Sequence, residues 1–127
     1  MGSFAMKILK EDITAVPGIM AAGVHCGLKK NGDKDLALIY SKEPSVAAGV
    51  FTRNKFKAPP LLVTARHMAG PVRAVVVNSG IANACTGEQG LQDALKTAEI
   101  AADKLGIKKE EVLVASTGVI GFYLPME

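Results

Sequence analysis

Apolar and polar residues recur along this chain with two different periods, and the change from one to the other marks its elements. Residues 91–105 place Leu91, Ala94, Leu95, Ala98, Ala101, Ala102 and Leu105 on one side of a helical repeat. Gln92, Asp93, Lys96, Glu99 and Asp103 fall on the other side, so the stretch predicts an amphipathic helix. Thr86-Gly87-Glu88-Gln89 ahead of it has the form of a capping box, with Thr86 as cap and Gln89 reaching back. Gly106 behind it suits a left-handed C′ residue, and Ile107 is placed to pack back as in a Schellman ending. On either side of the helix the pattern becomes continuous. Residues 72–77, VRAVVV, form a β-branched apolar run that predicts a central buried strand. Residues 112–115, VLVA, predict a second, short buried strand, which runs into a polar turn at Ser116-Thr117-Gly118. A charged turn at residues 108–111 leads into it. Strand, polar loop, helix, strand is a βαβ-like unit, with a right-handed crossover if its strands are parallel.

The first half is less regular. Residues 16–27, VPGIMAAGVHCG, read as an irregular lead-in or border strand. Asn31-Gly32 within residues 29–34 is a hairpin signal, since both positions tolerate positive φ. Residues 35–41, DLALIYS, predict a strand with Leu36, Leu38 and Tyr40 on one face. Ala37 and Ile39 make the other face apolar too, so coverage on both sides is expected. Glu43-Pro44 is expected to end this strand, residues 47–52 (AAGVFT) to form another, and residues 61–69 to form a short helix stopping at Gly70.

With 127 residues the chain suits one α/β domain that buries roughly two-thirds of its unfolded surface. Its hydrophobic content of 49% excludes a disordered tail. Aromatic residues are scarce, so the core must rest on Val, Ile, Leu and Ala. The net charge of +3 is dispersed; the one basic cluster, Arg53 to Lys57, does not continue into a stripe and reads as a solvated loop, so no nucleic-acid partner is expected. No apolar run reaches the ~20 residues of a membrane span, and no secretory signal is visible. Two cysteines without metal-type spacing suit reduced thiols in a cytoplasm. Residues 1–5 read as a cloning remnant ahead of a native Met6. Residues 124–127 resemble neither a helix cap nor a terminal strand, and a fragment of a longer protein is expected.

Candidate chemistry is sparse. Gly118 brings an unobstructed amide and Thr117 an amide and a hydroxyl, and two amides converging on one point are the raw material of an oxyanion hole. Taken alone, S-T-G is an ordinary turn. Cys85 stands just before a helix N-terminus, where a thiolate is favoured. It would need a base, and neither His25 nor His67 has a context tying it to Cys85; a buried structural thiol is the plainer reading. No pair of histidines has ligand spacing, so no metal is assigned. The 78–90 loop, with Gly80, Gly87 and Gly90, could hold an anion at the helix start but matches no nucleotide-binding motif. The preferred reading is structural, with Asn78, Ser79 and Asn83 bonding the turn itself.

Several stretches together resemble one family. Residues 75–90, VVVNSGIANACTGEQG, resemble the NSGNANACTG block of the ornithine acetyltransferase family, the bifunctional glutamate/ornithine N-acetyltransferases of arginine biosynthesis. Residues 112–121 with Leu124-Pro125-Met126 resemble its VASTGVIG…LPM block, and DLAL, AGVFT and Ala58-Pro59 fit its N-terminal region. Ile81 departs from the pattern, which has Asn there, so no ligand role is carried to that side chain. The resemblance implies a layered α/β sandwich and, for residues 6–127, the N-terminal portion of the α chain of a self-cleaving precursor. It implies that Thr117 and Gly118 form the oxyanion hole. The nucleophile is the N-terminal threonine of the C-terminal chain, whose KGxGMIxPNMAT-like motif this sequence lacks. The implied reaction is ping-pong transfer of acetyl from N-acetylornithine to glutamate in an α2β2 assembly, inactive in this part alone. No cofactor is implied, and acetyl-CoA is left open as a second acetyl donor. Two rival readings are a non-catalytic anion- or nucleotide-binding module using the 78–90 loop, and a thiol enzyme using Cys85.

Overall fold

A computed structural model describes residues 10–127; the segment read as a remnant, residues 1–5, lies outside the described residues. Four strands form one sheet in the order β1-β2-β3-β4, with β1 at Ile19–Val24, β2 at Leu36–Ser45, β3 at Val72–Ile81 and β4 at Val112–Val119. The first three pair antiparallel, and β3 and β4 run parallel. Helices α1 (Pro59–His67) and α2 (Gly87–Leu105) complete a mixed α/β fold, and α2 is the expected connection between the two parallel strands.

The core sits between the sheet and these helices. Val63 from α1 and Ala94, Ala98 and Ala102 from α2 meet Ala74 and Val76 of β3 and Val112 and Val114 of β4. The α2 contacts are alanines, which let the helix approach the strands closely. Burying each of the valines contributes roughly 1.5 kcal/mol or more. Leu36, Leu38 and Tyr40 pack on the same cluster, as their alternation predicts. Coverage of β2 on both sides does not materialise: residues 36–40 are all only half-buried, because both helices join the core cluster on one face of the sheet. Two side chains of α1 bond directly to β4. The Thr64 hydroxyl donates to the Val114 carbonyl at 2.6 Å and accepts from the Val114 N–H at 3.0 Å, while His67 Nδ1 lies 2.7 Å from the Val112 carbonyl.

Several local expectations hold. Gly106 is left-handed, and the amide of Ile107 donates to the Ala102 carbonyl at 3.1 Å in a Schellman ending, with Ile107 packed on the core. Helix α1 begins two residues earlier than expected, because Pro59 in the first turn gives up an N–H that has no helical acceptor.

Others give way to tertiary structure. Glu43-Pro44 does not end β2. The strand runs on to Ser45 through an irregularity between Tyr40 and Ser45; Pro44 lies past Ser41, the last residue paired with β1, so its missing donor is tolerated. Arg73 spans this stretch, donating to the carbonyls of Ser41 and Lys42. The expected strand at residues 47–52 is absent: Val46 and Val50 are fully exposed, and no strand pairs with the segment. Asn31-Gly32 makes no tight hairpin; β1 and β2 are joined by a long loop, residues 25–35. The capping box fails too. The Thr86 hydroxyl donates to Asn83 Oδ1 at 2.7 Å and the Gln89 amide to Asp93 Oδ1 at 2.7 Å, so neither side chain reaches the helix-end amides. No helix among the described residues is long and apolar enough to cross a membrane.

Candidate functional site

The parallel pair β3–β4 extends well past its apolar run. Asn78, Ser79, Gly80 and Ile81 pair in register with Ser116, Thr117, Gly118 and Val119, so the polar residues read as loop and turn are strand. Each polar run is carried by the other, and a single strand's composition does not reveal that.

Near the end of this ladder two glycines oppose each other. Gly80 has φ +124° and Gly118 φ +132°, a region closed to ordinary side chains. A Cβ on Gly118 would lie 2.2 Å from the Gly80 carbonyl carbon and 2.6 Å from the Ile81 nitrogen. A Cβ on Gly80 would meet Leu28 at 3.1 Å. Beyond the kink the chains stay tied, Ala82 N–H to the Val119 carbonyl at 2.9 Å and Gly121 N–H to the Ala84 carbonyl at 2.8 Å.

Strand continuity changes what the S-T-G stretch offers. Val114 presents its N–H and C=O to Thr64, away from β3. By the alternation of a strand, the amide of Gly118 shares that outward side and the amide of Thr117 turns toward β3. Thr117 therefore offers its hydroxyl and Gly118 its amide, in place of two converging amides. Both residues are exposed.

The 78–90 segment is held by its own side chains. The Asn78 amide donates to the Ile81 carbonyl at 2.7 Å, and the Asn83 amide to the Gly90 carbonyl at 2.8 Å, with Asn83 Oδ1 accepting from Thr86. Asn83 is fully buried at φ +46°, a conformation Asn tolerates. Gly90 is required because a Cβ there would sit 1.8 Å from the Thr86 hydroxyl oxygen. The structural roles expected of Asn78 and Asn83 are thus observed, and these amides are not left over for an anion. Cys85 is exposed at φ +59°. His67 is engaged with Val112 and His25 with the Asp33 carbonyl at 2.9 Å; neither bonds to Cys85.

One organising residue, Asp35, enters the sequence reading only as the first residue of the predicted strand 35–41. Asp35 is buried at 3% exposure, and its carboxylate accepts from the amides of Cys26 at 2.6 Å and Lys29 at 2.9 Å, with His25 Nδ1 at 3.1 Å. Burial opposes its ionisation, but those amides, the Cys26 thiol and the His25 ring outweigh it and hold the carboxyl well below the usual carboxylate range. Burial and the adjacent Asp35 push the Cys26 thiol up, away from thiolate reactivity. The Asp35 carbonyl also accepts from the Ser79 N–H at 2.8 Å. Asp35 thus fixes both the 25–29 loop that packs Leu28 against Gly80 and the residue opposite Thr117.

A sequence profile of the ArgJ family matches residues 20–127. The chain is 51% identical over 124 residues to the arginine biosynthesis bifunctional protein ArgJ 1 of Clostridium acetobutylicum, covering 96% of this chain and 30% of that protein. It is 52% identical over 118 residues to the ArgJ of Bacillus subtilis, covering 91% and 29%. The crystal structure of the ArgJ protein from Bacillus halodurans superposes with a TM-score of 0.88 at 45% identity, over 91% of this chain and 61% of that one. The ornithine acetyltransferase of Mycobacterium tuberculosis, solved in complex with ornithine, gives 0.83 at 49% identity, over 87% and 61%. The chain spans about 30% of the length of the curated relatives it matches. With matching sequence along nearly its whole length and the same fold, the chain belongs to the ArgJ family.

Proposed function

We propose that this chain is the N-terminal part of the α chain of a glutamate/ornithine N-acetyltransferase, and that Thr117 and Gly118 form its oxyanion hole. The observation that supports the site reading is that Thr117 and Gly118 are exposed near the end of the β3–β4 ladder, where Gly118 at positive φ faces Gly80. Family membership supports the reaction. The N-terminal threonine of the precursor's C-terminal chain attacks the acetyl carbonyl of N-acetylornithine, its own amine taking the hydroxyl proton. The carbonyl oxygen becomes an oxyanion, which accepts hydrogen bonds from the Thr117 hydroxyl and the Gly118 amide. Collapse transfers the proton to the departing ornithine nitrogen and leaves an acetyl ester on the threonine. The amine of glutamate then attacks that ester, passes through a second oxyanion in the same cradle, and frees the threonine. No metal or cofactor enters this scheme, and acetyl-CoA fits it as a second donor, in keeping with relatives named bifunctional. The working assembly is α2β2, in the cytoplasm.

The test uses the complete, self-processed protein. Thr117→Ala should lower kcat for transfer from N-acetylornithine to glutamate roughly a hundredfold or more, with KM little changed, as expected for a donor that acts in the transition state. An unchanged kcat would remove the Thr117 side chain from the mechanism.

A further inference from the structure

We propose that Ser79 is a positioning residue for this site, its hydroxyl turning in the complete enzyme to donate to Thr117 Oγ and so aiming the Thr117 proton at the oxyanion; this rests on the oxyanion reading above. Ser79 and Thr117 are partners in the parallel ladder β3–β4. In-register residues on neighbouring strands put their side chains on the same face, with backbones about 4.8 Å apart, close enough for two hydroxyls to bond. That face is opposite the one carrying Ala74, Val76, Val112 and Val114 to the helices, so no core side chain competes for either group.

Two further observations single out this pair. In the structure the two hydroxyls bond neither to each other nor to any other described residue, so no existing partner has to be given up for them to pair, whereas Thr64, Thr86 and Thr97 are all bonded. Ser79 is also well fixed. Its N–H is held by the Asp35 carbonyl at 2.8 Å, and the next residue, Gly80, is packed against Leu28. A hydroxyl that must give its proton to an oxyanion does so better when its own oxygen accepts a hydrogen bond, because donors in a chain polarise one another. Ser79 is the residue in register to supply that bond.

The experiment is a double-mutant cycle in the complete enzyme, following kcat and KM for N-acetylornithine. Ser79→Ala should lower kcat about fivefold, the scale of one neutral hydrogen bond, with KM nearly unchanged. Ser79→Thr, which keeps the hydroxyl, should recover most of the rate. In a Thr117→Ala background, Ser79→Ala should have no further effect, since the group it acts through is gone. A packing role would instead lower the rate by the same factor in both backgrounds, and that result overturns the proposal. So does full activity of Ser79→Ala beside an impaired Thr117→Ala. Full activity of Thr117→Ala is a different failure, which removes the oxyanion reading itself.

Discussion

Replacing Gly118 by alanine is the most direct probe of the β3–β4 kink. Two costs are expected, and they separate. The first is conformational: a side chain at positive φ costs on the order of 1–2 kcal/mol in the folded state. The second is contact. The new Cβ would fall 2.2 Å from the carbonyl carbon and 2.3 Å from the oxygen of Gly80, and 2.6 Å from the Ile81 nitrogen. All three are backbone atoms in a hydrogen-bonded ladder, so no rotamer change relieves the clash. Forced overpacking of this kind adds typically ~1–3 kcal/mol. Gly121 supplies the control, since it has φ +85° and nothing within 4 Å of a built Cβ. Gly121→Ala should lose only the conformational part. Urea unfolding of the two variants beside the parent, read at constant m, gives the difference directly. Gly118→Ala should be less stable than Gly121→Ala by about 1–3 kcal/mol. Equal losses in the two variants would mean that β3 and β4 do not approach as closely as described.

Two other outcomes follow from buried polar groups. Asn83→Ala removes the donor to Gly90 and the acceptor for Thr86 at a fully buried position, leaving a carbonyl and a hydroxyl unsatisfied. A loss of roughly 2–4 kcal/mol in urea unfolding is expected, and a loss below about 0.5 would contradict the network. Asp35→Asn keeps the volume but turns an amide donor toward backbone N–H groups that need an acceptor. Because the folded carboxyl titrates below its unfolded value, its stabilisation is complete above the unfolded pKa near 4 and fades as pH falls from there. The deficit of Asp35→Asn against the parent should thus be constant between about pH 7 and 5 and shrink toward pH 3; a deficit independent of pH would refute the ionised role.

How much of this was legible in the sequence depended on how local the cause was. The α2 stripe and its glycine stop follow from residues within a few turns, and so does the β-branched run of β3. The polar ends of β3 and β4 were misread because their strand character comes from pairing with each other. Ser79 and Thr117 look like loop residues singly and like a ladder only together. Thr86 and Gln89 fit a capping box by spacing, yet Asn83 and Asp93 offered them better partners. Apolarity misled at residues 47–52, where no strand pairs with the segment. Asp35 was passed over because a lone carboxylate carries no periodic signal. Thr117 and Gly118 stood out by their amides and hydroxyl, but only the family's motif lifted them above an ordinary turn, and the Gly80 that faces Gly118 is visible only once the strands are paired.

Thr64 and His67 also decide what the outer flank of β4 can do to other molecules. A strand bordering a sheet offers unpaired donors and acceptors that a foreign strand can join, the usual start of aggregation. Here the Val114 N–H and C=O and the Val112 carbonyl are already taken by α1. The sticky, valine-rich half of the border is therefore sealed from within by a helix of the same chain. Only the half from Ser116 onward is left unsealed by α1. It is a stretch of small and polar residues with a positive-φ glycine at Gly118, poorly shaped for a second backbone.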